Sequence, residues 1–246
     1  MLAFKQPQYP AQTGCYKVSV KDKGLWQSHR FARLQISMDN PKHTGDKFLA
    51  LTEWAATRFE HVTIIVSDTL QRHNIASNNN LDLEEAYTIS LAKGDDWISH
   101  NAIAINALPN KTITRWDVWL RDPQFKQTHN LLKHLYDNVE DFRYAVDKKA
   151  LDFCKRHAAN LTTEFVLANH LQASVDYILE ELSAFSRMFA TTKAIDIYPG
   201  EWFKDIFDVL KEMSDAPLLS GFHTTECLRV DFIRNHGAPI FTPVNS

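Results

Sequence analysis

The stretch "HVTIIVSD", residues 61–68, constrains the fold more than any other: four of its eight residues are Val or Ile and a fifth is Thr. A run this short and this apolar reads as a strand buried on both faces, which is the environment of a parallel sheet covered by helices. Comparable strand patterns recur in "FARLQIS" (31–37), "KTITRWDVWL" (111–120), "KAIDIYP" (193–199) and "TTECLRVDF" (224–232). Between them lie helical patterns. One covers 46–59, and one is opened by Asp82 as N-cap after the polar "SNNN". Broken segments run from Asp122-Pro123 to about 159, a long one spans 161–189, and "GEWFKDIFDVLKEM" is amphipathic. Strands that alternate with helices predict an α/β fold: a Rossmann-like parallel sheet with helices on both faces. No repeat or linker divides the chain, so residues 1–246 are expected to form a single domain, with 1–30 an N-terminal segment leading to the first core strand.

Composition agrees with that class. Only 7 glycines in 246 residues argue for long helices and against a loop-rich all-β fold, and 44% hydrophobic with 23% charged residues argues against disorder. No apolar run approaches the ~18 residues of a membrane span, and the N-terminal residues lack the apolar region of a secretory signal. Cys15, Cys154 and Cys227 lie far apart without a CxxC pair, which predicts reduced thiols and a cytoplasmic, monomeric protein with no membrane partner. The scattered His129, His134, His157 and His170 have no metal-ligand spacing, and no glycine-rich dinucleotide or P-loop motif is present. No cofactor and no metal is therefore expected. The charge is uneven: residues 111–157 hold 10 basic against 7 acidic residues (net +3), and 158–246 hold 6 against 12 (net -6). A polyanion would dock on the middle segment.

Within 161–189, Leu171, Val175, Ile178, Leu182, Phe185 and Phe189 recur at three and four, forming one apolar stripe. Glu180 falls roughly opposite that stripe and is expected to face solvent. Tyr177 and Glu181 lie one turn apart on its border, where they are either a surface pair or a pair aimed into a cleft beside the core. Ligands of doubly wound folds bind beyond the carboxyl ends of the strands, and Ser37 sits at such an end. There it is either a turn residue or a nucleophile. No G-x-S-x-G elbow surrounds it.

Taken in order, Ser37, the Tyr177-x-x-x-Glu181 pair and Tyr198 resemble the tRNA-dependent cyclodipeptide synthases, and Tyr198-Pro199 resembles the subfamily marked by Tyr-Pro at this place. The resemblance implies a fold similar to the catalytic domains of class I tyrosyl- and tryptophanyl-tRNA synthetases. It implies an aminoacyltransferase that joins two aminoacyl-tRNAs into a cyclic dipeptide through esters on Ser37, without ATP. Tyr177 and Glu181 would hold the amino group, Tyr198 would relay a proton, and Asn40 would support the serine loop. The synthetase ATP motifs are degraded here: "KHTGD" (42–46) keeps only His43 and Gly45 of HxGH, and "KEMSD" is not a KMSKS loop. Many members of the family have glycine two residues before the serine, where this chain has Gln35. The basic helix that docks tRNA in the better-known subfamily would fall near 80–105, which is acidic to neutral here. Lys148, Lys149, Lys155 and Arg156, recurring seven apart, are the expected tRNA contacts instead, with Lys111, Arg115, Arg121, Lys126 and Lys133 upstream. The other readings are a non-catalytic small-molecule or tRNA-binding protein on the same fold, and a serine esterase-like hydrolase.

Overall fold

A computed structural model describes residues 13–21, 24–156, 164–191, 193–213 and 216–235. Its elements in chain order are β1 (Tyr16–Val20), β2 (Phe31–Ile36), α1 (Gly45–Ala56), β3 (His61–Val66), α2 (Arg72–Asn79), α3 (Leu83–His100), α4 (Ala102–Asn106) and β4 (Lys111–Arg115). These are followed by α5 (Asp117–Leu120), α6 (Phe125–Asn138), α7 (Glu140–Arg156), α8 (Glu164–Thr191), β5 (Ile195–Tyr198), α9 (Lys204–Glu212), α10 (Gly221–Thr224) and β6 (Cys227–Arg234). The six strands form one sheet in the order β1-β6-β5-β2-β3-β4. Pairing is parallel from β6 through β4, and β1 adds an antiparallel edge on β6, with Tyr16 opposite Arg234 and Val20 opposite Val230.

The mixed α/β sheet matches the sequence expectation, with two corrections. The strand β1 lies inside the segment read only as a lead-in. Its "YKVSV" has too few apolar residues to stand out, because an edge strand is only half covered. The expected strand 111–120 stops at Arg115. The backbone N–H of Trp116 donates to Asp68 Oδ1 at 3.2 Å instead of to a neighbouring strand, and the next four residues coil into α5.

Strand alternation divides the core in two. On β3, Ile64 and Val66 face a layer built from Phe48, Leu49 and Leu51 of α1, Trp97 of α3 and Ile105 of α4. Ile65 faces the opposite layer, which is organised around α8. There Phe185, Phe189, Phe207 and Phe222 pack ring on ring, with centroids 5.2 to 6.3 Å apart where they touch. Burial of each such ring contributes on the order of 2–3 kcal/mol, enough to fix α8, α9 and α10 against the sheet. At ~1.5 Å per residue the 28-residue α8 is about 42 Å long, and α2, α6, α7 and α10 pack against it. The order of strands reverses between β2 and β5, since β2 leads outward to β3 and β4 while β5 leads the other way to β6. A crevice opens at the carboxyl ends of such a pair.

Candidate active site

Ser37 leaves β2 at this reversal point. It begins a tight turn in which the Asn40 N–H donates to the Ser37 carbonyl at 3.0 Å. Asn40 also stabilises the next turn, because its Oδ1 accepts the Lys42 N–H at 3.0 Å and caps the short helical segment Pro41–His43. His43 is fully buried, and its Nδ1 lies 2.9 Å from the Ser37 nitrogen and 3.0 Å from the Ser37 carbonyl oxygen. The Ser37 carbonyl already has the Asn40 N–H, so we assign the Nδ1 lone pair as acceptor of the Ser37 N–H and place the imidazole proton on Nε2. Burial pushes the His43 pKa down to about 4, outweighing the opposing pull of the nearby Ser37 carbonyl, and Lys42 adds to the depression. His43 is thus a neutral bracket on the serine turn. It touches the backbone of Ser37 and forms no dyad with its hydroxyl. Among the described residues that hydroxyl makes no hydrogen bond, and Ser37 is half-buried.

On β2, Arg33 and Gln35 reach across to Met188 of α8, and Ser37 continues the same alternation toward that helix. Tyr177 and Glu181 stand further along it. The Tyr177 hydroxyl accepts from Gln71 Nε2 at 3.2 Å, and Gln71 is itself buried. Both Tyr177 and Glu181 keep partial exposure, yet protein crowds them on the remaining sides. Burial pushes the Tyr177 phenol well above its ordinary pKa, and the negative potentials of Glu181, Tyr198 and Asp39 push it further. Burial likewise pushes Glu181 up to about 8, an effect that Lys149 opposes and Glu180 increases. Tyr177 is therefore within electrostatic reach of Glu181, of Tyr198 and of Asp39 in the serine turn.

Tyr198 ends β5. Its hydroxyl accepts from Asn40 Nδ2 at 3.4 Å, and its ring packs on His43 at 5.3 Å and Trp202 at 5.7 Å. The residue two positions on must be glycine, because a Cβ at Gly200 would lie 2.4 Å from the Tyr198 ring.

Glu180 is not solvent-facing, contrary to the helical-angle expectation. It is 5% exposed, with Arg72 bidentate on its carboxylate (2.8 Å for the Nη1 contact), His73 at 3.0 Å and the Trp116 indole N–H at 3.0 Å. Burial pushes its pKa up, but hydrogen bonds from His73 and Arg72 outweigh that and hold it below the usual carboxylate range. The reason is that α2 packs along the side of α8 that the apolar stripe left open.

The basic residues of α7 do not share one condition. Lys148 donates to Asp205 at 2.8 Å, Lys149 lies 5.4 Å over the Phe203 ring and within electrostatic reach of Glu181, and Lys155 is exposed. The Arg156 side chain falls outside the described residues. Upstream, Arg115 is engaged by Asp68 and Asp95 and Arg121 by Asp117, whereas Lys126 and Lys133 are exposed. His157 lies outside the described residues. The other three histidines singled out are dispersed: His129 contacts Ser183 at 3.2 Å, His134 contacts Asn138 at 3.1 Å and His170 contacts Ser77 at 2.5 Å.

Sequence reasoning missed Gln71, Arg72 and His73, and treated His43 only as a motif remnant. A positional signal for the first three was present. They follow β3 directly, and the carboxyl end of a central strand is where a doubly wound sheet places its site residues.

The fold is similar to that of cyclodipeptide synthases, which are related to class I tRNA synthetases. A cyclodipeptide synthase from Fluoribacter dumoffii superimposes with a TM-score of 0.79 at 23% identity, covering 89% of this chain and 100% of that one. One from Candidatus Glomeribacter gigasporarum, bound to Phe-tRNAPhe, superimposes at 0.63 with 17% identity, covering 88% and 92%. A Mycobacterium tuberculosis protein, whose structure relates cyclodipeptide synthetases to type I tRNA synthetases, superimposes at 0.63 with 15% identity, covering 92% and 97%. No family model and no curated protein matches this chain. At these identities the likeness is one of fold.

Proposed function

We propose that this chain is an aminoacyltransferase that makes a cyclic dipeptide from two aminoacyl-tRNAs through successive esters on Ser37. The reading is supported by Ser37 and Tyr198 at the β2/β5 reversal, bridged by Asn40, with Tyr177 and Glu181 of α8 within electrostatic reach, in a fold similar to that of cyclodipeptide synthases. The Tyr-Pro pattern at Tyr198-Pro199 places it with the Tyr-Pro subfamily in this reading.

An aminoacyl-tRNA is already an activated ester, so the chemistry needs a nucleophile, alignment and proton transfer. The Ser37 Oγ attacks the first ester carbonyl, the terminal ribose hydroxyl leaves with the serine proton, and an aminoacyl ester remains on Ser37. The Ser37 N–H is occupied by His43 and the Asn40 N–H by the Ser37 carbonyl, whereas the N–H groups of Met38 and Asp39 make no hydrogen bond among the described residues. Those two are the oxyanion donors in this scheme. The bound α-amine has a pKa near 8, close to the value of about 8 for Glu181. A proton is therefore shared easily between them. Glu181 holds the ammonium and then takes its proton, while the Tyr177 oxygen, already accepting from Gln71, offers its second lone pair. The freed amine attacks the ester carbonyl of the second aminoacyl-tRNA, the ribose oxygen of that tRNA leaves with the proton returned by Glu181, and a dipeptidyl ester remains on Ser37. The new terminal amine then attacks that ester, closes the six-membered ring and returns the proton to Ser37. Tyr198 relays this last proton. Its oxygen accepts from Asn40 of the serine turn, which ties the phenol to that turn.

For tRNA, the exposed Lys126, Lys133 and Lys155 and the α7 residues Lys148 and Arg156 supply the phosphate contacts in this scheme. Lys149 is turned toward the crevice. Charge reversal at Lys148 and Lys155 together should weaken binding and flatten its salt dependence.

Rapid quenching of the protein with a pool of aminoacyl-tRNAs, followed by intact-mass spectrometry, tests the reading. An aminoacyl adduct that disappears in Ser37→Ala, together with a diketopiperazine in solution, is the expected result. Free amino acid without either species would mean hydrolysis and overturn it.

A further inference from the structure

Below Ser37 the same face of β2 carries two more polar side chains, and both are buried. Arg33 is 3% exposed and forms a two-pronged ion pair with Asp196 of β5, which is fully buried. Arg33 Nη1 also donates to the Met188 carbonyl at 2.9 Å, and its guanidinium lies 5.4 Å over the Phe189 ring. Gln35, 4% exposed, occupies the next layer up, and its Nε2 donates to Asp196 Oδ1 at 2.6 Å and to Met188 Sδ at 3.0 Å. The arrangement is a ladder. Arg33 and Asp196 face each other across β2 and β5, Gln35 comes next, and Ser37 and Tyr198 stand at the top. On α8, Ala184 and Glu181 follow Met188 at helical spacing on the same side of the helix, and Ala184 is buried.

The Gln35 amide has one orientation. Burial raises the Asp196 pKa, but the two-pronged Arg33 guanidinium opposes this and pairs with a carboxylate. The amide therefore presents its NH2 to it, and turning the amide over would set two oxygens against each other. Its Oε1 is therefore fixed as an acceptor, and it is buried without a hydrogen-bond partner. Buried acceptors are nearly always satisfied. One placed beneath a nucleophile that accepts an amino acid has an obvious source of a donor: the side chain of that amino acid.

We propose that the first aminoacyl group loaded on Ser37 carries an uncharged side chain with a hydrogen-bond donor, which Gln35 Oε1 accepts. This rests on the aminoacyl-transfer reading of Ser37. An apolar side chain would leave Oε1 unpaired, and sites built around such a contact discriminate strongly against the analogue that lacks it. Charged side chains are disfavoured for a separate reason. Arg33 and Asp196 already neutralise each other, so an incoming ion of either sign would be buried without a counter-ion.

The wild-type chain, incubated with aminoacyl-tRNAs prepared for all twenty amino acids and acid-quenched, is to be read by the mass of its Ser37 adduct. An adduct bearing a hydroxyl, amide, imidazole or indole side chain is expected. In Gln35→Met, which keeps the length and the contact to Met188, the ratio of donor-bearing to apolar adducts should fall at least tenfold. A wild-type preference for Leu, Val, Phe or Met, or for a charged residue, would overturn the inference and leave the aminoacyl-transfer reading standing. An unchanged ratio in a folded Gln35→Met would overturn it equally. Absence of any adduct would overturn both. The wild-type profile decides the matter even if the variant does not fold.

Discussion

Two neighbouring carboxylates on α8 are in opposite physical states. Glu180 looks toward α2 and is saturated by Arg72, His73 and the Trp116 indole. Glu181 keeps partial exposure, lies within electrostatic reach of Lys149 and Tyr177, and is pushed up to about 8 by burial. One residue of helical rotation, ~100°, separates a structural ion pair from a titrating group. One side of the helix is tied down by charge, and the other holds a carboxylate that burial pushes up, as the proposed amine contact requires.

That contrast can be broken by exchanging the roles. Glu181→Ala should cost about 10²–10⁴-fold in diketopiperazine formation while leaving the melting temperature within a few degrees, measured by product assay and calorimetry. Glu180→Ala should do the reverse. It strands the Arg72 guanidinium in a site from which its partner is gone, a change typically costing about 3–5 kcal/mol. For a chain of this length that is roughly a 6–20 °C loss in Tm. If Glu180→Ala melted like the wild type yet lost activity, the division of labour would be wrong.

A pH experiment sharpens the same comparison. Glu181 has a folded-state pKa raised to about 8 from an unfolded value of 4.5. Between these values the folded state binds more protons than the unfolded one, so this group makes the protein less stable as pH rises from about 5 to about 8. Glu181→Gln removes that dependence. Its stability relative to wild type should increase across this window by roughly 1–3 kcal/mol, since partial exposure discounts the full linkage value. Glu180 has a depressed pKa, so its stabilisation is present above about 4.5 and is lost only in more acidic solution. Urea titrations of Glu181→Gln at pH 5 and pH 8 that gave the same difference from wild type would contradict the assigned state. The smallest effect is expected at Asn40→Ala, which removes one long hydrogen bond to Tyr198 and one cap. A few-fold loss in the ring-closing step is expected, read as accumulation of the dipeptidyl ester relative to the aminoacyl ester.

The strands at the heart of the sheet were legible because β-branched runs such as "HVTIIV" have few alternatives. The order and spacing of Ser37, Tyr177, Glu181 and Tyr198 carry the proposed site, and the structure places Ser37 and Tyr198 at the ends of neighbouring strands. Glu180 was misread because helical angle is measured against a single apolar stripe, and nothing in the α8 sequence announces that α2 covers its other side. The Trp116 turn was hidden for a similar reason. A strand-like alternation continues through "WDVWL", and it is a buried Asp68, nearly fifty residues earlier, that captures the Trp116 N–H and ends the strand. His43 and Gln71 were illegible as site residues because their roles are made by tertiary contact, to a backbone N–H and to a phenol, and leave no periodic trace.

The antiparallel pairing of β1 with β6 has a consequence for how this chain is made. Tyr16 finds its partner, Arg234, more than 200 residues later. During synthesis β1 must wait, its edge unpaired, while the parallel core assembles from segments made in between, and the sheet is completed only when the last strand arrives. That interval is when an exposed strand edge pairs most readily with another chain. The charged and hydroxylated residues of "YKVSV", which made β1 hard to recognise, suit it to the wait: Lys17 and Ser19 make it a poor template for aggregation.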